Sequence, residues 1–537
     1  MKRRIAGWLW MAGMAAACGG AGAESRGDAL VARLYFAGSD AVVGGGARWW
    51  KEMAAMPASG ELRAVLAERM ARAPRELLRR RLDAGAPDHE AIFKPLWQDW
   101  WRSESAVEIR CNAAGRWGWA MAVRLSSARG EDWSDGLRKV LGSWGMNPAD
   151  ECRQGQGRGW EMRGRDGSEG FRFLRAGEWC LMGWSADPAS LMAPWLSAVE
   201  REGRPVQADR GIWLKLDWNW AAARSLWPSG LGKASGQASG SLWRLTVGPE
   251  KENVRARLEM NWQEAPEWSW APWQLPTNLV REPLISFTAA QGVGSWLKEC
   301  DFLKRLPWNP WPDQVFFWAQ GAAPFQVFGA IPTRSTTNVV RRMAEASLSG
   351  WASNLTQRGL GKVQWVTNET ILVWTGLPVL VPYACAAVDG SDRFVQFGLF
   401  ASAPNTNPAP TELWSQVAGR SNQVFYSWEI TGERLLQVKV LGQILRIAAP
   451  PETIPIRPDL NRPATLEQTW LDAVARFLGN TVTEITRETP TRYLLSRRGH
   501  LGLTATELVL LVNAIDDPRF PLFGYALPPA SADARRR

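Results

Sequence analysis

One four-residue string, Ser295-Trp296-Leu297-Lys298, has the spacing of a serine nucleophile and a lysine base. In penicillin-binding proteins, an S-x-x-K pattern places the serine one helical turn from a lysine that can accept its proton. The K-T-G and S-D-N strings that accompany the pattern there do not occur in this sequence. Ser295 and Lys298 are therefore the candidates for catalysis, and we favour a helix-capping serine followed by a solvated lysine.

Other groups that enzymes commonly use are scarce. The chain has only two histidines, His89 and His500, which lie far apart in the sequence, and it has no H-E-x-x-H string. The cysteines show no C-x-x-C or metal-ligand spacing. The glycine strings "GQGRGW" and "GLGKAS" lack the third glycine of a dinucleotide loop and the spacing of a P-loop. The sequence therefore predicts no cofactor and no metal site, and it favours a protein that is not an enzyme.

Tryptophan is unusually abundant, with 34 residues against 17 phenylalanines and 5 tyrosines. Two proline-rich loops, "EWSWAPWQLP" at 267–276 and "LPWNPWPDQ" at 306–314, carry several of these indoles. A rigidly held indole offers a flat apolar face and an N–H donor, which suits sugar rings or extended peptides. The alternative is that the loops pack on themselves. The predicted ligand-binding residues are Trp268, Trp270, Trp273, Trp308 and Trp311.

The first residues have the order of a secretory signal peptide. Three cations at 2–4 precede an uncharged stretch at 5–17, which is shorter than the roughly 20 residues of a membrane span. Small residues follow, with an A-x-A site at 21–23. We predict cleavage after residue 23 and a periplasmic or secreted protein. The alternative is a lipoprotein anchored to a membrane through Cys18, although Ala15 is not the bulky aliphatic residue of a lipobox.

Five cysteines remain after that cleavage. In an oxidising compartment, one pair among Cys111, Cys152 and Cys180 could form a disulfide, and buried free thiols fit equally well. The sequence leaves the pairing open for these three and for Cys300 and Cys385.

Length and charge limit the class of protein. A chain of 537 residues exceeds the usual size of a single core, about 250 to 300 residues, so we expect two or more packed units. The formal net charge of +10 includes three cations of the signal peptide and three C-terminal arginines, which leaves +4 for the folded body. That balance argues against a nucleic-acid partner. No later apolar run reaches membrane-spanning length, and the oligomeric state stays open.

Helical and strand patterns alternate along the mature chain. Residues 24–103 have helical spacing, whereas "WGWAMAVRL" at 117–125 alternates as a strand does. A similar element order near 105–202 recurs near 314–419 without residue identity. The predicted fold class is α+β, with two β-β-α-β-β-α-like units of mainly antiparallel sheet with packed helices, plus helical N-terminal and C-terminal segments. The predicted boundaries are 1–23 (signal peptide), 24–103 (helical segment), 104–205 (first α+β unit), 206–285 (β-rich connection with a Gly/Ser loop), 286–420 (second α+β unit), 421–527 (C-terminal strands and helices) and 528–537 (disordered tail).

Four strings, together with the signal peptide, resemble a group of large secreted proteins of Gram-negative bacteria: "PLISFTAAQGVGSWL", "TGLPVLVPY", "FYSWEITGERLLQ" and "RRGHLGLTATELVLL". The resemblance implies the compartment and the general architecture, and it implies no activity, cofactor or catalytic residue. We therefore expect a noncatalytic exported protein of the envelope or periplasm with a binding or structural role. Its partner would be a polysaccharide or another envelope component. The alternative is a hydrolase of envelope polymers or polysaccharide that uses Ser295 or a carboxylate pair.

Overall fold

The computed structural model describes most of the chain. The described residues are 29–45, 48–79, 82, 87–112, 116–165, 167–207, 209, 211–219, 242–265, 270–299, 303–321, 326–350, 352–357, 359–366, 370–377, 380–400, 407–448 and 465–523. The predicted signal peptide with Cys18, the loop residue Trp268, Cys300 and the C-terminal tail lie outside these residues.

The chain divides into two compact units. Unit 1 comprises Met1–Glu264, Pro463–Phe477 and Leu510–Arg537, and unit 2 comprises Ala265–Arg462 and Leu478–Val509.

Unit 1 contains ten described strands. Its elements are β1 (Ala29–Phe36), α1 (Ser39–Gly45), α2 (Arg48–Ala55), α3 (Pro57–Leu78), α4 (Glu90–Arg102), β2 (Ser105–Cys111), β3 (Trp117–Arg124), α5 (Ser127–Ser143), β4 (Asp150–Gln154), β5 (Gly157–Arg163), β6 (Gly170–Ala176), β7 (Trp179–Ser185), α6 (Pro188–Glu202), β8 (Leu214–Asn219), β9 (Leu242–Glu250), β10 (Asn253–Asn261) and, later in the chain, α12 (Leu466–Ala475). Antiparallel pairing joins the strands in the order β10-β9-β8-β1-β2-β3-β7-β6-β5-β4.

Unit 2 also contains ten described strands. Its elements are β11 (Leu284–Gln291), α7 (Gly294–Glu299), a 3₁₀ helix (Leu303–Arg305), β12 (Gln314–Gln320), β13 (Val327–Pro332), α8 (Thr336–Ser349), α9 (Ala352–Gln357), β14 (Lys362–Val366), β15 (Ile371–Thr375), β16 (Tyr383–Asp389), β17 (Asp392–Gly398), α10 (Thr411–Ala418), β18 (Gln423–Ile430), α11 (Thr431–Ala448), β19 (Asn480–Thr489), β20 (Arg492–Gly499) and the start of α13 (Ala505–Asp516). The strand order is β20-β19-β18-β11-β12-β13-β17-β16-β15-β14, again with antiparallel pairing.

The two units have the same strand order. Adding ten to each strand number of unit 1 gives the order of unit 2, and the helices α5 and α8 both follow the third strand of their unit. The helices α6 and α10 both follow the seventh strand. Each unit can therefore serve as an internal reference for the other, because a feature found in only one of them is not required by the shared fold.

The predicted fold class is wrong. All twenty described strands belong to large, mostly antiparallel sheet structure. In each unit, four strands rather than two follow the middle helix: β4 to β7 in unit 1 and β14 to β17 in unit 2. The N-terminal segment, predicted to be helical, contributes β1 to the middle of a sheet, between β8 and β2. The C-terminal segment contributes β18, β19 and β20 to the second sheet. The physical reason is that hydrophobic alternation identifies a strand and its faces, whereas its neighbours depend on pairing between distant segments.

Helices cover both faces of the unit 1 sheet. Helix α5 begins where the Ser126 side chain accepts a hydrogen bond from the backbone N–H of Arg129, and with α4 it packs on a core that includes Trp160 and Phe173. Helix α6 packs against β3, β6 and β7 on the opposite face. It begins at a capping aspartate, Asp187, and ends at Gly203 in the left-handed conformation that favours glycine. Among the described helices, none has both the length and the hydrophobicity of a membrane span.

Candidate functional site

A cavity of about 390 Å³ opens in unit 1 beside α5 and the strands β4, β5 and β6. Helix α5 contributes Ser134 and Arg138 to its lining, and the strands contribute Glu151, Arg158 and Arg175. Three of these five side chains carry a positive charge, so the cavity is suited to a negatively charged ligand.

An unusual row of arginines crosses three neighbouring strands, and two of its members, Arg158 and Arg175, line this cavity. Arg153 of β4 lies directly opposite Arg158 of β5, and Arg158 lies directly opposite Arg175 of β6. Residues in such opposite positions have Cβ atoms about 4.5 to 5.5 Å apart, and like charges there destabilise the pairing. We call these three residues the arginine row. Their arrangement is unfavourable to the sheet unless negative charge is placed beside it.

Protein carboxylates compensate the inner arginines of the cavity. The Arg175 guanidinium donates to Glu131 Oε1 at 3.0 Å, and the Arg138 guanidinium donates to Glu151 Oε1 at 3.0 Å. The remaining charges of the arginine row, on Arg153 and Arg158, are exposed to solvent. Within the described part of the chain, neither of these two side chains forms a hydrogen bond or an ion pair. The site therefore presents two uncompensated guanidinium groups on adjacent strands.

The floor of the cavity is aromatic. Trp160 and Phe173 are both 1% exposed, and their rings stack at 5.7 Å between centroids with an interplanar angle of 13°. The Trp160 indole donates to Ser134 Oγ at 2.9 Å, which fixes the ring under α5. The Arg138 guanidinium lies 5.5 Å from the Trp160 ring centroid, a cation–π contact. A rigid apolar floor excludes water on one side and strengthens electrostatic attraction at the rim.

Unit 2 shows that the fold does not require the arginine row. In unit 1 the arginine row lies one residue pair from the turn of a β-hairpin, where Gln154 and Gly157 form the last pair. In unit 2 the equivalent positions lie at the same distance from the corresponding turn. The corresponding row of β14, β15 and β16 consists of Trp365, Leu372 and Ala384. Apolar residues thus occupy the same positions in the same topology, and the charges belong to unit 1 alone.

The predicted catalytic pair lies elsewhere, in unit 2. Ser295 and Lys298 are both exposed on the six-residue helix α7, and Lys298 Nζ lies 5.9 Å from the ring centroid of Trp311. Among the described residues, no hydrogen bond of the kind that links a nucleophile to its base joins these two side chains. Their catalytic role stays a prediction.

The described part of the first tryptophan loop, residues 270–276, packs on its own unit. Trp273 is partly buried against the core of unit 2, with its ring centroid 6.0 Å from that of Phe316. Trp270 stacks on Tyr493 at 6.4 Å, and the Arg487 guanidinium lies 5.0 Å from the Trp270 ring centroid. These contacts favour the alternative in which the loop packs on the protein itself, and ligand binding by these indoles stays a prediction.

The second tryptophan loop is held by its indole N–H groups. Trp308 donates to the carbonyl of Leu303 at 2.9 Å, and Trp311 donates to the carbonyl of Gly294 at 3.2 Å. Both rings are half-buried. Their polar edges are therefore used internally, and only part of each ring face is accessible to a ligand.

Four cysteines have described positions, Cys111, Cys152, Cys180 and Cys385, and none of them forms a disulfide among the described residues. Burial raises the pKa of the Cys180 thiol to about 12 and that of Cys385 to about 11. Thiols with such pKa values are almost entirely protonated at neutral pH and are poor nucleophiles.

The sequence contains a local signal for two residues of the arginine row. In "RQGQGR", Arg153 and Arg158 flank a turn at Gly155, so the hairpin itself places them opposite each other. Arg175 joins them only through the pairing of β5 with β6.

No group of three or more histidine, cysteine or acidic residues in the described part of the chain is placed to hold a metal ion. Comparison with known proteins finds no matching family model, no matching curated protein and no matching solved structure.

Proposed function

We propose that this protein is a noncatalytic binding protein of the cell envelope, and that its unit 1 binds an anionic ligand at the arginine row. One observation carries the proposal: Arg153 and Arg158 face each other on adjacent strands without a carboxylate partner among the described residues, and Arg158 lines the cavity. A bound anion would offset the repulsion between these two guanidiniums.

The chemistry of the cavity supports binding rather than catalysis. Its lining includes no histidine, cysteine or lysine, and its one carboxylate, Glu151, is already paired with Arg138. Arginine remains protonated at every physiological pH and does not exchange protons with a substrate. The site can therefore hold and orient negative charge, but its residues are poorly suited to general acid–base chemistry.

The proposed location rests on the first residues of the sequence. A positive segment, an apolar stretch of 13 residues at 5–17 and an A-x-A site predict export. A polysaccharide or another envelope component would then be recognised through its negatively charged groups, in agreement with the positive charge of the arginine row.

Calorimetric titration at low ionic strength tests the proposal. The mature protein is titrated with sodium sulfate, methyl phosphate and glucuronate, and we expect at least one of them to bind. Arg158→Gln should weaken that binding tenfold or more. Arg201→Gln, which removes an exposed arginine from α6 of the same unit, should leave it within twofold.

Two results would contradict the proposal. Equal binding by the wild type and Arg158→Gln would exclude the arginine row as the site. Chemical conversion of a bound probe, detected by mass spectrometry after prolonged incubation, would show an enzyme instead of a binding protein.

A further inference from the structure

We infer that the ligand of the arginine row is a single dianionic phosphoryl group, such as a phosphate monoester, held between Arg153 and Arg158. The inference rests on the proposed function, because it names the ligand class of the same site. It is carried by the charge balance of the arginine row and the neighbouring Arg138, by the geometry of the two guanidiniums and by the boundaries of the row.

The charge balance favours a dianion. Two of the four arginines at the site are neutralised by carboxylates, Arg138 by Glu151 and Arg175 by Glu131. The other two retain a combined charge of two. A monoanion such as a carboxylate would leave one guanidinium uncompensated, whereas a phosphate monoester at neutral pH carries close to two negative charges.

The geometry favours a tetrahedral group. Arg153 and Arg158 are directly opposite on antiparallel strands and project from the same face of the sheet. Each guanidinium offers a planar fork of N–H donors that forms two parallel hydrogen bonds to an oxyanion. A phosphoryl group has three terminal oxygens and can accept from both forks. A carboxylate has only two oxygens, so two forks would have to share them.

The boundaries of the row favour one phosphoryl group over a polyphosphate or nucleic-acid backbone. Beyond Arg175, the next residue in the row is the buried Cys180 of β7. Beyond Arg153 the described sheet ends, because β4 pairs only with β5. The carboxylates of Glu131 and Glu151 would repel a second phosphate next to the first. A continuous track of cations, which a polyanion backbone needs, is therefore missing from this part of the structure.

The inference has a pH signature that a structural role for the arginines would not produce. The second pKa of a phosphate monoester is about 6, whereas arginine as a residue type is not deprotonated in proteins. Binding of methyl phosphate should therefore strengthen as the pH rises from 5.0 to 7.5. Sulfate is a dianion over that whole range and should bind with nearly constant affinity.

Titration calorimetry of the full mature chain at pH 5.0 and 7.5 tests the inference, with methyl phosphate, sulfate and glucuronate as probes. We expect methyl phosphate to bind up to about tenfold more tightly at pH 7.5, since most of the probe loses its second charge at pH 5.0. Sulfate should change less than twofold. Arg153→Gln and Arg158→Gln should each weaken methyl phosphate binding tenfold or more, and Arg158→Lys should restore only part of the loss because lysine lacks the fork.

The outcomes separate the two proposals. Failure of all three anions to bind would overturn the proposed function and this inference together. Glucuronate binding as tight as that of methyl phosphate, with no dependence on pH, would leave the proposed function standing and overturn the phosphoryl assignment. Full affinity in Arg153→Gln would also overturn it. Both arginines are exposed, so these variants should fold, which circular dichroism would check.

Discussion

Replacing Gln423 by methionine should stabilise unit 2. Gln423 begins β18 and is 0% exposed, yet neither its side-chain oxygen nor its side-chain nitrogen has a hydrogen-bond partner among the described residues. Its backbone carbonyl accepts a hydrogen bond from the side chain of Gln291 at 2.6 Å, and Gln423→Met would keep that contact. Methionine has a similar length and shape and no polar group to desolvate.

The magnitude follows from the cost of an unsatisfied buried amide. Burying a polar group without a hydrogen bond costs about 1 to 3 kcal/mol, and an apolar replacement of similar shape removes that cost. We therefore expect Gln423→Met to raise the free energy of unfolding by about 1 to 2 kcal/mol, since some of the gain is lost in repacking.

Gln314 provides a matched control in the same sheet. It is 3% exposed, its side-chain oxygen accepts from the backbone N–H of Gln274 at 3.0 Å, and its side-chain nitrogen donates to the carbonyl of Pro272 at 2.9 Å. Gln314→Met breaks both bonds and should lower the free energy of unfolding by about 1 to 3 kcal/mol. The same chemical change should therefore have opposite signs at the two positions.

Urea unfolding followed by circular dichroism measures both variants against the wild type, with the midpoint compared at an unchanged m-value. Because the chain has two units, only the transition that responds to Gln314→Met is used for the comparison. The reasoning is refuted if Gln423→Met destabilises that transition by as much as Gln314→Met does. Such a result would mean that the amide of Gln423 is hydrogen bonded in solution.

Three further predictions concern unit 1. Asp187→Ala should lower the free energy of unfolding by about 1 kcal/mol in urea titrations, because the Asp187 side chain caps the first turn of α6. Gly159→Ala should lower the free energy of unfolding by about 1 to 3 kcal/mol or more in the same titrations, because a Cβ there would lie 1.9 Å from the Phe173 carbonyl oxygen. The control Gly142→Ala in α5 should leave the free energy of unfolding unchanged or raise it. Cys180 should resist iodoacetamide at pH 8 in the folded protein and react with it in urea, because burial raises the pKa of the thiol to about 12 and keeps it protonated. Rapid labelling of Cys180 in the native protein would contradict this prediction.

Local sequence patterns were enough to predict several individual elements. The pair Asp187-Pro188 predicts the start of α6, since it combines a capping side chain with the residue best suited to the first helical turn, and the structure has both there. The alternation in "WGWAMAVRL" predicts a strand, and β3 occupies Trp117–Arg124. Such signals are readable because caps and side-chain periodicity depend on residues within a few positions of one another.

Tertiary structure decided the strand order and the candidate site. The segment Ala29–Phe36 lies between two strands that follow it by about 70 and 180 residues, and no local pattern specifies which strands those are. The hairpin turn at Gly155 brings Arg153 and Arg158 together and could have been read from the sequence. Arg175 and the aromatic floor reach them only through the pairing of β5 with β6 and the packing of α5. The sequence by itself determined the faces of the strands and the ends of the helices. Long-range pairing determined which charges share a surface, because alternation with a period of two residues specifies the direction of a side chain but not its neighbour on the next strand.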